Sequence, residues 1–343
     1  MKAAVLKGPR DIRIEERPVP KPGAGEVLVR IRASGICGSD IHGFEGKIPE
    51  RRPPGIVMGH EAAGEVADVG QRAGGFKAGD RVAINPLIPC LECYPCSRGW
   101  FHICDAMVTL GSAMRVFHDG TMCEYVSVPY RQLHVLPPGV SQEAGAVAEP
   151  AGNATHLLDR GALELGSVIA VFGAGTIGLM VVQAARLAGA RKVIAVDINP
   201  FRLGRARDFG ADVAVNARER DPVAAIREAS DGRGADLAVE SAGFAATYRQ
   251  CVESVRKRGK VIALGFMEPE VTFPMQSVIY REISIIGSTA FSYEIETVLS
   301  LFAAGKLDPM PLVTHTFPLE AAQKAFETAA DPGAKAIKVL IIP

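Results

Sequence analysis

The sequence predicts an α/β protein in two parts, an irregular, mostly antiparallel β domain and a doubly wound domain built on a parallel sheet. Three observations carry this expectation. Up to about Val147 the chain is rich in Gly, Pro and short β-branched runs. From about Gly166, short apolar runs alternate with helical stretches. The first of these runs, Val168 to Phe172, ends in Gly173-Ala-Gly175-Thr176-Ile177-Gly178; a helix-period segment follows, then a second run that stops on Asp197.

The strands expected in the first part are Val27 to Ala33, Ala62 to Val69, Arg81 to Ile84 and Cys123 to Val128, after an N-terminal strand and turn. Each is short, β-branched and bounded by turn residues. In the second part the expected strands are Val168 to Phe172, Lys192 to Val196, Val213 to Val215, Leu237 to Glu240, Lys260 to Leu264 and Ile283 to Ile286. Apolar strands separated by helices are what a parallel sheet covered on both faces requires. Its ligand is then expected beyond the C-terminal strand ends, where strand order reverses. A helix over Glu294 to Ala304 and a last strand, Ile337 to Ile342, are expected to return to the first domain. The domain boundaries read as 1–150 with 288–343, and 151–287.

Each glycine of the turn has a mechanical reason. Gly173 allows the tight turn, Gly175 lets the backbone approach a pyrophosphate, and Gly178 lets helix and strand pack closely. Thr176 and Ile177 open a helix whose unpaired N–H groups and partial positive charge face the phosphates. Asp197, about 20 residues on, is placed to accept bonds from a ribose diol and to repel a 2′-phosphate, which favours NAD over NADP. Arg202 and Arg205 lie just downstream, and Arg202 is counted with the nucleotide site. Val168 to Ala185 carries no charge and is long enough for a membrane span, but its three glycines and helical period argue against one.

With 343 residues the chain has material for two cores, and 48% apolar against 22% charged residues is ordinary for a globular protein. Lys plus Arg equals Asp plus Glu at 38 each, so neither nucleic acid nor an anionic membrane is indicated as a partner. The N-terminal residues lack the apolar core of a signal peptide, and a cytoplasmic location is expected. Seven cysteines, an odd number, argue against a disulfide framework. The apolar run Ile283 to Ile286, if at a sheet edge, is a template for pairing with a second copy, so a homodimer or homotetramer is expected.

Four cysteines, Cys90, Cys93, Cys96 and Cys104, crowd into fifteen residues. Four soft anionic donors on one loop suit a closed tetrahedral zinc with a structural role, an iron–sulfur cluster and independent buried thiols being the competing readings. Earlier lie Gly35-Ile36-Cys37-Gly38-Ser39-Asp40-Ile41-His42 and Gly59-His60-Glu61, and later Glu149-Pro150. Cys37, His60 and Glu61 offer sulfur, nitrogen and oxygen, the pattern of an open, catalytic zinc. His60-Glu61 is not half of a metalloprotease motif, because Gly64 stands where HExxH needs its second histidine. Singly, each of these residues also has an ordinary structural use.

The order and spacing of GICGSDIH, GHEAAGEV, the four-cysteine lobe, AEP and VFGAGTIG resemble the zinc-dependent medium-chain dehydrogenases over essentially the whole chain. The resemblance implies a GroES-like catalytic domain beside a Rossmann domain, two Zn2+ per chain and NAD. It makes Cys37 and His60 catalytic-zinc ligands, with Glu61 a direct or nearby third. Glu149, in its Glu-Pro setting, is similar to the sorbitol and polyol branch and would bind that zinc or hold its water. Asp40 would fix the ligating histidine. The implied reaction is reversible oxidation of a secondary alcohol, with the metal as Lewis acid and hydride passing to NAD. Ser39 and His42 would carry the proton out. The chain departs from mammalian sorbitol dehydrogenase in keeping all four lobe cysteines, and Glu149 to His156, with Asn153, is also similar to threonine dehydrogenases. A threonine-type or idonate-like dehydrogenase is therefore the alternative.

Overall fold

The computed structural model describes residues 1–265, 268 and 270–343. The chain divides into two compact units, Met1–Glu149 with Ile295–Pro343, and Pro150–Glu294.

In the first unit β1 (Lys2–Gly8) and β2 (Asp11–Glu16) form a hairpin. β3 (Glu26–Gly35), α1 (Gly38–Phe44), β4 (Glu61–Val69) and β5 (Arg81–Ile84) follow. A lobe comes next, with β6 (Leu87–Ile88), α2 (Tyr94–Ser97) and β7 (Val108–Thr109). The first segment closes with β8 (Tyr125–Pro129), β9 (Leu133–Val135) and α3 (Gln142–Ala146), and α4 (Ala148–Gly161) leads into the second unit.

The second unit alternates β10 (Val168–Phe172), α5 (Thr176–Leu187), β11 (Lys192–Asp197), α6 (Pro200–Asp208), β12 (Val213–Asn216), α7 (Pro222–Ala229), β13 (Ala235–Glu240), α8 (Ala245–Ser254), β14 (Val255–Ala263), α9 (Met275–Arg281) and β15 (Ser284–Gly287). The chain then returns through α10 (Glu294–Ala303), β16 (Val313–Pro318), α11 (Ala322–Ala330) and β17 (Lys338–Ile342).

The sheet of the first unit runs β16-β17-β3-β4-β5-β9, with β8 paired on β3. Alternate residues of β3, β4, β5 and β8 (Val27, Val29, Ile31, Val66, Val82, Ile84, Val128) share one core, as the period of two dictates. A second cluster joins Leu6, Phe44, Met58, Phe326 and Ile341. It fastens α1 and α11 to the strands, and the C-terminal segment thereby becomes part of the same core.

The sheet of the second unit is parallel, in the order β12-β11-β10-β13-β14-β15. This is the Rossmann order 3-2-1-4-5-6, which reverses between β10 and β13. Every residue of β10 is buried, because helices cover both faces. Among the described residues no helix is long and apolar enough to cross a membrane.

Candidate active site and metal centres

At the middle of the first unit's sheet, β3 and β4 run antiparallel and bring Gly35 opposite Glu61. A Cβ at Gly35 would meet the Glu61 carboxylate at 2.2 Å, so only glycine leaves room for it. The chain turns from β3 into α1 at Cys37, whose N–H donates to Asp40 Oδ2 at 3.1 Å. His60 directly precedes β4. These local facts place one ligand atom each from Cys37, His60 and Glu61 within 4.8 Å of one another, with the two β4-end residues buried.

The site is charged and deeply enclosed. Asp40, wholly buried, has Oδ1 3.3 Å from His60 Nδ1, an ion-pair distance that falls short of an aligned hydrogen bond. The same oxygen accepts from Arg52 Nε and Nη2 at 3.3 and 3.2 Å. Burial pushes the Asp40 carboxyl up, but His60, Arg52 and the Cys37 N–H outweigh it and hold it well below the carboxylate range. Burial lowers the His60 imidazole, and Asp40 and Cys37 outweigh that and hold it high. Lys338, buried on β17, donates to Glu61 Oε2 at 2.5 Å and to the Ile36 carbonyl at 3.0 Å. Burial lowers the Lys338 ammonium, yet Glu61 and Cys37 hold it raised.

Ser39 and His42 lie three apart on α1 and so share a face. Ser39 Oγ accepts from Arg52 Nη2 at 3.4 Å. His42 is half-buried, its Nδ1 has no partner among the described residues, and burial, then Lys47, holds its imidazole below the ordinary value. Glu149 is buried in the first turn of α4 and stands outside the three-donor group.

In the lobe, Cys90, Cys93, Cys96 and Cys104 place their sulfurs within 4.8 Å of one another. The Cys90–Cys104, Cys93–Cys104 and Cys90–Cys96 separations are 3.5, 3.8 and 4.0 Å. A tetrahedron with Zn–S bonds of about 2.3 Å has sulfur edges of about 3.8 Å. All seven cysteines are free, so the spacing is not that of disulfides. Backbone N–H groups point at the sulfurs: Cys93 at Cys90 (3.4 Å), Cys90 and Ala106 at Cys104 (3.2 and 3.3 Å). Those of Glu92 and Cys93 bring the Cys90 thiol down to about 6, whereas burial pushes Cys96 up to about 12. Zinc takes its sulfur donors as thiolates, so uptake by such a set releases protons. The donors and spacing fit Zn2+.

In the second unit Gly173 has φ +95°, and a Cβ on Gly178 would meet the Gly173 carbonyl at 1.8 Å. Nothing lies within 4 Å of a Cβ built on Gly175, the cap of α5. That open space above the helix start, with the amides of Thr176, Ile177 and Gly178, fits a pyrophosphate. Asp197 ends β11 and its Oδ1 and Oδ2 accept from Asn199 N and Ala174 N at 2.8 and 2.7 Å. Arg202 stands in the first turn of α6, its N–H capped by the Asn199 side chain.

The residues that sequence reasoning missed are Arg52 and Lys338. The second arginine of Arg51-Arg52-Pro53-Pro54 and a lysine at the start of a final strand carry no local signal. Only the buried status of each reveals it, since cations are almost never fully buried unless paired.

Residues 23–138 match the family described as alcohol dehydrogenase GroES-like domain, and residues 176–304 that described as zinc-binding dehydrogenase. The chain is 35% identical to sorbitol dehydrogenase of Bacillus subtilis, over 100% of this chain and 97% of that one. It is 34% identical to L-threonine 3-dehydrogenase of Bacillus licheniformis, over 100% and 99%. The solved alcohol dehydrogenase of Thermus sp. ATN1 superimposes with a TM-score of 0.94 at 34% identity, over 100% and 99%. The chain therefore belongs to the zinc-dependent medium-chain dehydrogenases, oxidoreductases that act on CH–OH donors and use Zn2+ and NAD.

Proposed function

We propose that this enzyme reversibly oxidises a secondary alcohol of a polyol, sugar alcohol or related diol, with Cys37, His60 and Glu61 as catalytic-zinc donors and Cys90, Cys93, Cys96 and Cys104 as structural-zinc donors. The observation that carries the reading is the gathering of sulfur, imidazole and carboxylate, distant in sequence, at one buried point. Bound there, zinc supplies Lewis acidity toward the alcohol oxygen, and NAD supplies the hydride acceptor.

The chain's own residues do the rest. Asp40 orients His60, leaving Nε2 as the nitrogen free for the metal. Ser39 Oγ takes the alcohol proton and His42 passes it on; an imidazole with a lowered pKa is the neutral base this needs at pH 7. Glu149 acts through a bound water, its place outside the three-donor group favouring that over direct contact. Gly173, Gly175, Thr176, Ile177 and Gly178 seat the pyrophosphate, and Asp197 the ribose diol, with Arg202 at the rim. Seven unpaired cysteines favour the cytoplasm.

A second substrate class, a threonine-type amino alcohol or a sugar acid, is favoured by the stretch Glu149 to His156 and by the Bacillus licheniformis relative. Polyols, diols, threonine and sugar acids assayed at saturating NAD, with zinc content measured, separate the two. Two zincs per chain with the highest kcat/KM on a polyol or diol is expected. A larger kcat/KM on threonine transfers the assignment.

We further propose a homodimer, or a homotetramer made of two such dimers, through β15. This strand ends the sheet, Ile285 is 41% exposed on it, and α9 beside it exposes Met275, Ile279 and Tyr280. An unpaired apolar edge of this kind recruits its own copy. Ile285→Lys is expected to yield monomers in light scattering; an unchanged mass removes β15 from the interface.

A further inference from the structure

We infer that Arg52 is a positioning residue that locks the metal-facing histidine and the proton-relay serine to one carboxylate, an inference that rests on the catalytic-zinc reading of Cys37, His60 and Glu61. Arg52 ends the turn after α1, its N–H donating to the Ile48 carbonyl at 3.0 Å, and its side chain is 5% exposed. The guanidinium spreads over three acceptors. Nε and Nη2 reach Asp40 Oδ1, Nη2 reaches Ser39 Oγ at 3.4 Å, and Nη1 reaches the Arg51 carbonyl at 3.4 Å. The two oxygens of Asp40 are therefore shared among Arg52, His60 Nδ1 and the Cys37 N–H.

The place for Arg52 is built. A Cβ on Gly43 of α1 would come within 2.4 Å of Arg52 Cγ and 2.6 Å of its Cβ, so the helix carries glycine where the arginine stem crosses it. The choice of cation follows from chemistry. A buried carboxylate needs a permanent counter-charge, and guanidinium keeps its proton at any working pH. Its planar fork also holds several acceptors at fixed angles, which an ammonium on a flexible stem does not. With Asp40 pinned by Arg52, the carboxylate cannot swing away when a cation arrives at His60. The same guanidinium holds the Ser39 hydroxyl beside that assembly. Removing such an outer partner of a metal ligand lowers metal affinity by about 10- to 100-fold.

The test uses the full-length protein in its zinc-loaded and Co2+-substituted forms. Arg52→Gln and Arg52→Lys are each titrated with a chelator. The visible Co2+ bands, kcat and KM are then measured on fully loaded samples. We expect the more labile zinc to bind about 10- to 100-fold more weakly in Arg52→Gln, the lobe zinc to stay, and the Co2+ bands of the labile site to shift. In loaded enzyme kcat falls while KM stays near wild type, and Arg52→Lys lies between the two. Arg52→Gln combined with Asp40→Asn loses no more zinc affinity than Asp40→Asn alone.

Wild-type zinc affinity and Co2+ bands in Arg52→Gln, or losses that add to those of Asp40→Asn, overturn the inference and assign Arg52 to loop stability only. Should Arg52→Gln fail to fold, Arg52→Lys decides on the same readouts, unchanged affinity and bands again being fatal. A wild-type protein with a single, chelator-resistant zinc defeats the catalytic-zinc reading instead, a result distinct from failure of the Arg52 role.

Discussion

In the lobe, all four sulfurs come from Cys90 to Cys104, and the apolar cluster around them is little more than Met107, Leu87, Phe101 and the cysteines themselves. At the other donor set, Cys37 caps a helix after β3, His60 precedes β4 and Glu61 opens it, and the stabilising cations come from a turn (Arg52) and from the last strand (Lys338). The lobe takes its charge compensation from local backbone N–H groups. The buried site takes it from side chains far along the chain. The difference teaches where each set draws its stability. A local set rests on donors within its own loop, whereas an assembled set is held by the surrounding core and by paired charges that a mutation leaves exposed to an apolar interior.

Three substitutions sharpen or break that contrast. The largest effect is expected for Cys37→Ser. Loss of the Lewis acid removes several kcal/mol of transition-state stabilisation, so kcat/KM should fall by about a thousandfold or more. NAD affinity should stay near normal, since the glycine turn and Asp197 belong to the other unit. Steady-state rates with fluorescence titration of NADH check both, and undiminished turnover would exclude the catalytic-zinc assignment.

Next comes Lys338→Met. It leaves Glu61, 1% exposed, without its cation, and breaking a buried pair costs about 3–5 kcal/mol. The loss should be larger in chelator-treated protein than in zinc-loaded protein, where the metal substitutes for the missing charge. Denaturant melts of both forms measure it, and equal losses would show that Glu61 does not sense the metal.

The smallest effect on chemistry is expected for Cys96→Ala in the lobe. One zinc per chain should be lost and the melting temperature should drop by several degrees, about 2 kcal/mol of stability, with kcat reduced only a fewfold. Full thermal stability with one zinc fewer would contradict the lobe's role as a staple.

Much of the second unit was legible from sequence because its signals are local. β10 and the glycine turn sit where the pattern put them, since tight turn, close approach and packing each admit glycine alone. The strand expected at Lys260 to Leu264 in fact starts at Val255. Arg256, Lys257 and Arg258 hid its first half, which carries no apolar run because Lys257 and Arg258 face solvent. In the first unit the strand expected from Cys123 begins at Tyr125, and Cys123 makes only an isolated bridge to Ala3. Such short antiparallel pieces are fixed by partners distant in the chain, so their ends have no local mark.

The sequence by itself determined the donor chemistry, the nucleotide turn and the alternation that makes the doubly wound sheet. Each depends on residue type at short spacing, where sterics and hydrogen-bonding capacity act without reference to the rest of the chain. The tertiary structure alone decided that Lys338 lies 2.5 Å from Glu61 and that Arg52 binds both Asp40 and Ser39. Burial turns a charge from a solvated ornament into a constraint, because a medium of low polarity tolerates it only beside its partner. Which partner that is depends on how β17 and the turn after α1 pack, and no window of neighbouring residues encodes it.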